Sequence, residues 1–82
     1  MSEPPLTCVR RVVAQHCGVT PEQLLPDTRI IDFEPDELRL IDLMTQIETE
    51  CRCDIPDYQI TTLMTLEQLA VLVEENRKGT KP

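Results

Sequence analysis

Aromatic residues are nearly absent. They make up 2% of the 82-residue chain: Phe33 and Tyr58 are the only large rings. Any core must therefore be aliphatic. That suits small helices packed on one another and excludes a base-stacking platform, which needs exposed rings. Long apolar runs are missing as well. No stretch reaches the length that spans a bilayer, so membrane insertion is not expected. The opening Met1-Ser2-Glu3-Pro4-Pro5 lacks the basic region and apolar run of a secretory leader. A cytoplasmic location is the expectation. Cations are scarce through the middle of the chain. Between Asp32 and Asp57, nine acids are opposed only by Arg39 and Arg52, and the whole chain carries a net charge of -7. Phosphate neutralisation needs a basic face, so the pattern counts against nucleic acid. A basic protein surface is the expected partner, because complementary charge speeds encounter and rejects wrong partners. A second reading of the same acids is a solvated face that keeps the protein soluble.

Catalytic groups are equally sparse. His16 is the only histidine, and no nucleophile–base pair or phosphate-binding loop accompanies it, so an enzyme is not expected. Clustered carboxylates at Asp36, Glu37 and Asp42 could imitate an acid–base pair. On an exposed helix such groups are more often solvated, or hold a divalent ion weakly. Four cysteines are present: Cys8, Cys17, Cys51 and Cys53. Cys51-Arg52-Cys53 is not the paired spacing of a zinc site, and the adjacent His16 and Cys17 point about 100° apart on a helix. No metal is expected. Without a leader, free thiols are the expectation, with Cys17 and Cys51 filling small core positions.

The patterns that are present are helical. Leu6, Val9, Val13 and Cys17 fall on one face of a helix over 5–17, with Val12 flanking. Pro5 suits its start and Gly18 its left-handed stop. Thr20 and Gln23 form a capping box around Pro21, and Val19 and Leu24 are spaced as a hydrophobic staple. Residues 26–35 read as a loop, with Ile30, Ile31 and Phe33 pinning it to the core. A second helix runs from an Asp36 cap to Cys51, burying Leu40, Leu43, Met44, Ile47 and Cys51. Leu38 and Ile41 lie off that stripe. They either face a partner or pack beneath the loop. Pro56 breaks the chain, leaving room for a short helix over 57–61. Thr65 and Gln68 then cap a last helix, stapled by Met64 and Leu69, that buries Leu66, Leu69, Ala70 and Val73. The expected architecture is an all-α four-helix bundle, three longer helices and a short third one. It forms a single domain over 1–82, with 1–4 and 76–82 flexible.

Three segments in order resemble the acyl carrier proteins and the related peptidyl carrier domains, over about 9–74. They are Val9–Val13 leading into Gly18–Leu24; Asp36–Leu43, where the family has Asp-Ser-Leu and its recognition helix; and Ile47-Glu48 through Ile55-Pro56-Asp57, followed by 65–69. The family's serine carries a phosphopantetheine arm whose thiol holds an acyl group. Here Glu37 takes that position, and Glu34 stands where the family usually has glycine. A carboxylate cannot accept the arm, since the transfer needs a hydroxyl. The only serine is Ser2. The resemblance therefore implies no attached cofactor, unless the natural residue at 37 is serine. It implies a non-catalytic, monomeric carrier-like protein of fatty acid, polyketide or peptide biosynthesis. Docking would use Asp36, Glu37, Leu38, Ile41, Asp42 and Glu48 against basic surfaces. Glu37 could imitate the arm's phosphate at a helix N-terminus, or simply stabilise the first turn. Two further readings stand beside this one. One is a genuine carrier whose serine was replaced; the other is a carrier-derived regulatory or structural subunit unrelated to acyl transfer.

Overall fold

A computed structural model of the chain describes residues 3–77. The elements are α1 (Pro5–Cys17), α2 (Ile30–Phe33), α3 (Glu37–Cys51) and α4 (Leu66–Glu75), with 3-10 turns at Pro21–Gln23 and Asp57–Gln59. The fold is all-helical, with only two isolated bridges, Arg29–Thr65 and Cys53–Arg77, among the described residues. No helix among them is long and apolar enough to cross a membrane.

The helix boundaries follow local chemistry. Gly18 ends α1 in the left-handed conformation, its N–H donating to the Ala14 carbonyl, a conformation cheap for glycine and costly for other residues. Asp36 caps α3, its Oδ1 accepting from the Leu38 N–H at 2.9 Å. The α4 capping box is complete. Thr65 Oγ1 accepts from the Gln68 N–H at 3.1 Å, and Gln68 Oε1 accepts from the Thr65 N–H at 2.9 Å. At the Pro21 turn, Gln23 Oε1 accepts from the Thr20 N–H. Leu24 is buried there while Val19 stays exposed.

α1 packs against both α3 and α4. The core between them is aliphatic: Val9, Val12 and Val13 from α1, Leu43 and Ile47 from α3, Leu66, Leu69 and Val73 from α4. Each such side chain contributes about 1.5–3 kcal/mol on full burial. Val12, read as flanking, is fully inside.

Three sequence expectations change. The 26–35 segment is not all loop. Its one-turn α2 is closed by the Glu34 N–H donating to the Ile30 carbonyl at 2.8 Å. Backbone bonds from Ile30 to Met64 and from Leu66 to Thr28 then tie it to the start of α4. Ile30 is fully buried and Phe33 packs on the core, but Ile31 faces outward. The expected short helix after Pro56 is a single 3-10 turn, because the Gln59 N–H reaches only back to the Pro56 carbonyl. Cys8 and Cys51 are not free thiols, although Cys51 is buried in the core as expected. They form a disulfide, with Cα atoms 6.0 Å apart, joining the first turns of α1 to the last turn of α3.

The described ends are held. Arg11 Nη2 meets Glu3 Oε1 at 2.9 Å, and the Arg77 guanidinium donates to the Glu3 carbonyl at 2.9 Å. Asn76 Nδ2 donates to Gln59 Oε1 at 3.2 Å and to the Leu72 carbonyl at 2.9 Å. Flexibility was expected over 1–4 and 76–82. Glu3, Asn76 and Arg77 make these contacts, and 1–2 and 78–82 lie outside the described residues. The hydrogen bond and charge of Arg11 hold the Glu3 carboxyl below its usual range.

Candidate functional site

The first turns of α3 gather most of the residues that the sequence singled out. The buried stripe of this helix is Leu40, Leu43, Met44, Ile47 and Cys51. Helical phase therefore turns residues 38, 41 and 42 outward. Leu38 is 77% exposed and Ile41 61% exposed, which settles their ambiguity: neither packs beneath the loop. Asp36, Glu37 and Asp42 are exposed around them. Two large aliphatic side chains thus stand open to solvent among carboxylates.

Beside this patch lies a groove of about 550 Å³ between α3 and the 55–62 segment. Leu40, Met44, Ile55 and Ile60 line it, with Glu37 and Glu48 also on its walls. Glu48 differs from its expected role. Its Oε2 accepts from the Ile55 N–H at 2.9 Å, fastening the chain that leaves α3. Its carboxylate still faces the groove, but it does not project freely from the helix as Asp42 does.

Beneath the patch lies a charged cluster that the sequence did not announce. Glu34 is 3% exposed. Its Oε1 lies 2.7 Å from His16 Nε2 and 3.4 Å from Arg39 Nε. The last turn of α1, the end of α2 and the first turn of α3 thus converge on one carboxylate oxygen. Read only as a departure from a glycine position, Glu34 looked like one more surface acid. The partner that buries it, His16, is 18 residues away. Cys17 sits alongside, and its Sγ approaches the Phe33 carbonyl at 3.8 Å. Burial, then the Glu34 charge, push the Cys17 thiol up, partly offset by Arg39. Reactivity belongs to the thiolate, so Cys17 should alkylate with iodoacetamide at pH 8 several-fold more slowly than free cysteine. Peptide mapping of the labelled native protein checks this; labelling at the free-cysteine rate would contradict the shift.

Among the described residues, no group of three or more His, Cys, Asp or Glu could hold a metal ion.

A small, all-helical, acidic bundle with a charged, apolar-tipped helix start is the build of a carrier-type domain. Comparison with known proteins gives the same class. The family model described as "Phosphopantetheine attachment site" matches residues 9–73. The acyl carrier protein of Bradyrhizobium sp. (strain ORS 278) is 32% identical over 72 residues, covering 87% of this chain and 91% of its own. Those of Rhodopseudomonas palustris (strain TIE-1) and Afipia carboxidovorans match at the same identity and coverage. The chain belongs to the acyl carrier protein family, whose members are carriers rather than enzymes.

At the start of α3, Glu37 presents a carboxylate, and no serine occurs among the described residues. The Thr45 hydroxyl lies two turns along the helix and donates to the Ile41 carbonyl at 3.0 Å.

Proposed function

We propose that this chain is a carrier-fold docking module that is not itself loaded. Glu37 occupies the attachment position and blocks phosphopantetheinylation. The first half of α3 docks basic surfaces of enzymes or regulators of fatty acid, polyketide or peptide biosynthesis, through Asp36, Glu37, Leu38, Ile41 and Asp42. The observation that carries this reading is the joint exposure of Leu38 and Ile41 beside a carboxylate at position 37. Contacts of this size and charge are transient and salt-sensitive. Glu48 contributes charge from the groove wall rather than a free side chain. A monomeric state and a cytoplasmic location belong to the same reading.

The test is intact mass after incubation with a promiscuous phosphopantetheinyl transferase and coenzyme A, run beside Glu37→Ser. The parent is expected to stay unmodified and the variant to gain one arm. An arm on the parent would mean loading at another residue and would overturn the proposal. A variant that also stays bare would show that the transferase does not accept this α3, and would remove the carrier-scaffold part of the reading.

A further inference from the structure

We infer that a second groove, between the 59–64 segment and α4, binds a small uncharged molecule that carries hydrogen-bond acceptors but no donors, such as a ketone, lactone or tertiary amide, on an apolar body. The inference is independent of the docking role proposed for α3, since the two grooves share only Thr61 in their linings.

This groove has a volume of about 490 Å³, within the range usual for small-ligand sites. Of its apolar lining, Met64 is buried in the core and Leu72 packs on it. Leu63 and Val71 stand exposed, surface that an apolar body would remove from water. The polar lining is Gln59, Thr61 and Gln68, with no charged residue. Each of these three oxygens is engaged by an N–H of the fold. Gln68 Oε1 accepts from the Thr65 N–H at 2.9 Å, and Thr61 Oγ1 accepts from the Leu63 N–H at 3.2 Å. Gln59 Oε1 accepts from Asn76 Nδ2 at 3.2 Å, and that atom is fixed as nitrogen because it also donates to the Leu72 carbonyl. What remains is Gln59 Nε2, Gln68 Nε2 and the Thr61 hydroxyl hydrogen, all of them donors. None of the three has a protein acceptor among the described residues.

The occupant follows from that imbalance. A carbonyl oxygen meets the free donors and brings no hydrogen that lacks a partner. An ammonium group would set donors against donors. A carboxylate could accept, but no cation lines the groove to neutralise it. α4 itself carries Glu67, Glu74 and Glu75 and no basic residue, so a carboxylate would meet charge of its own sign. An extended peptide brings one N–H with each carbonyl. With the lining oxygens already engaged, those N–H groups would lose water and gain nothing, which costs more than the carbonyls return. A neutral ligand with acceptors alone leaves no polar group unmet on either side.

Three probes of one shape test this: cyclohexyl methyl ketone, cyclohexanecarboxylate and cyclohexylmethylammonium. The peptide acetyl-Leu-Val-Leu-amide is a fourth. Each is titrated into the nitrogen-15-labelled full-length protein. The ketone is expected to shift the side-chain amide signals of Gln59 and Gln68 together with the backbone amides of Leu63 and Val71. It should bind at least about fivefold tighter than each of the other three, the worth of a single hydrogen bond. Gln59→Glu/Gln68→Glu should cut ketone binding by about the same factor. Glutamate keeps an oxygen for Asn76 and for the Thr65 N–H while removing the donor, and an unchanged backbone spectrum of the free variant confirms the fold. The inference is overturned if the ketone shifts nothing, shifts only residues outside the groove, or binds no better than the ammonium, the carboxylate or the peptide. It is equally overturned if the double variant binds the ketone as the parent does.

Discussion

Reducing the Cys8–Cys51 disulfide is expected to lower the stability of the fold by about 2–4 kcal/mol. The bond closes a loop with a sequence separation of 43 residues. Opening it returns a large share of chain entropy to the unfolded state, about 4 kcal/mol by the loop-closure argument. Small domains hold only about 5–15 kcal/mol in total, so the loss should lower the melting temperature by about 10–25 °C. The bond is also well placed to matter in the folded state. It ties α1 to the end of α3, where Arg11 already reaches Glu50 at 3.4 Å. Both cysteines are buried, so the freed thiols stay in a packed site and the main effect remains one of chain entropy. The check is a urea titration with and without dithiothreitol, run on the parent and on Cys8→Ala/Cys51→Ala. The parent's midpoint should fall with reductant and the double variant's should not move. A parent midpoint indifferent to reductant would show that the bond contributes nothing to stability.

The second large effect is expected at His16. His16→Ala removes the 2.7 Å contact to Glu34 and leaves a carboxylate with 4% side-chain exposure. Removing one partner of a buried hydrogen bond costs about 1–3 kcal/mol, because the group left behind stays desolvated. Arg39 offsets part of this at 3.4 Å, but its side chain is 60% exposed and well solvated. The net expectation is a loss of about 1–3 kcal/mol. Glu34→Ala alone leaves an imidazole able to find water and should cost less. The double variant His16→Ala/Glu34→Ala should be more stable than the sum of the singles predicts, by more than about 1 kcal/mol. Three urea titrations beside the parent give this coupling. Additive losses would mean that the two side chains are merely neighbours.

These two features are also the ones hardest to read from the sequence. The buried face of α4 and the stripe of α3 were legible because their signals are local: capping residues three apart, and apolar residues at helical spacing. The same holds for Gly18 and for the Asp36 cap. The disulfide was not legible, since nothing local to Cys8 distinguishes Cys51 from Cys17 or Cys53. The burial of Glu34 was not legible for a similar reason: its partner His16 lies at the far end of α1. The helical turn at Ile30–Phe33 was hidden between Pro26 and Pro35, which mark a loop by composition. It is held by backbone bonds to residues beyond Thr61. At the candidate site, phase alone placed Leu38 and Ile41 off the core stripe but could not say what covered them. The structure leaves both open to solvent. Glu48 is the reverse case: read as a free acid, it is committed to the Ile55 N–H because the chain turns back after Arg52, itself left-handed at φ 56°.

The bond from Arg77 to the Glu3 carbonyl brings the two described ends together. A bundle whose described residues begin and end near each other can be carried as an insert within a surface loop of another protein. It can equally be re-cut, its ends joined by a short linker and new ones opened in the exposed turn near Pro26. Neither operation touches α3. The exposed Leu38 and Ile41 would travel intact into a fusion.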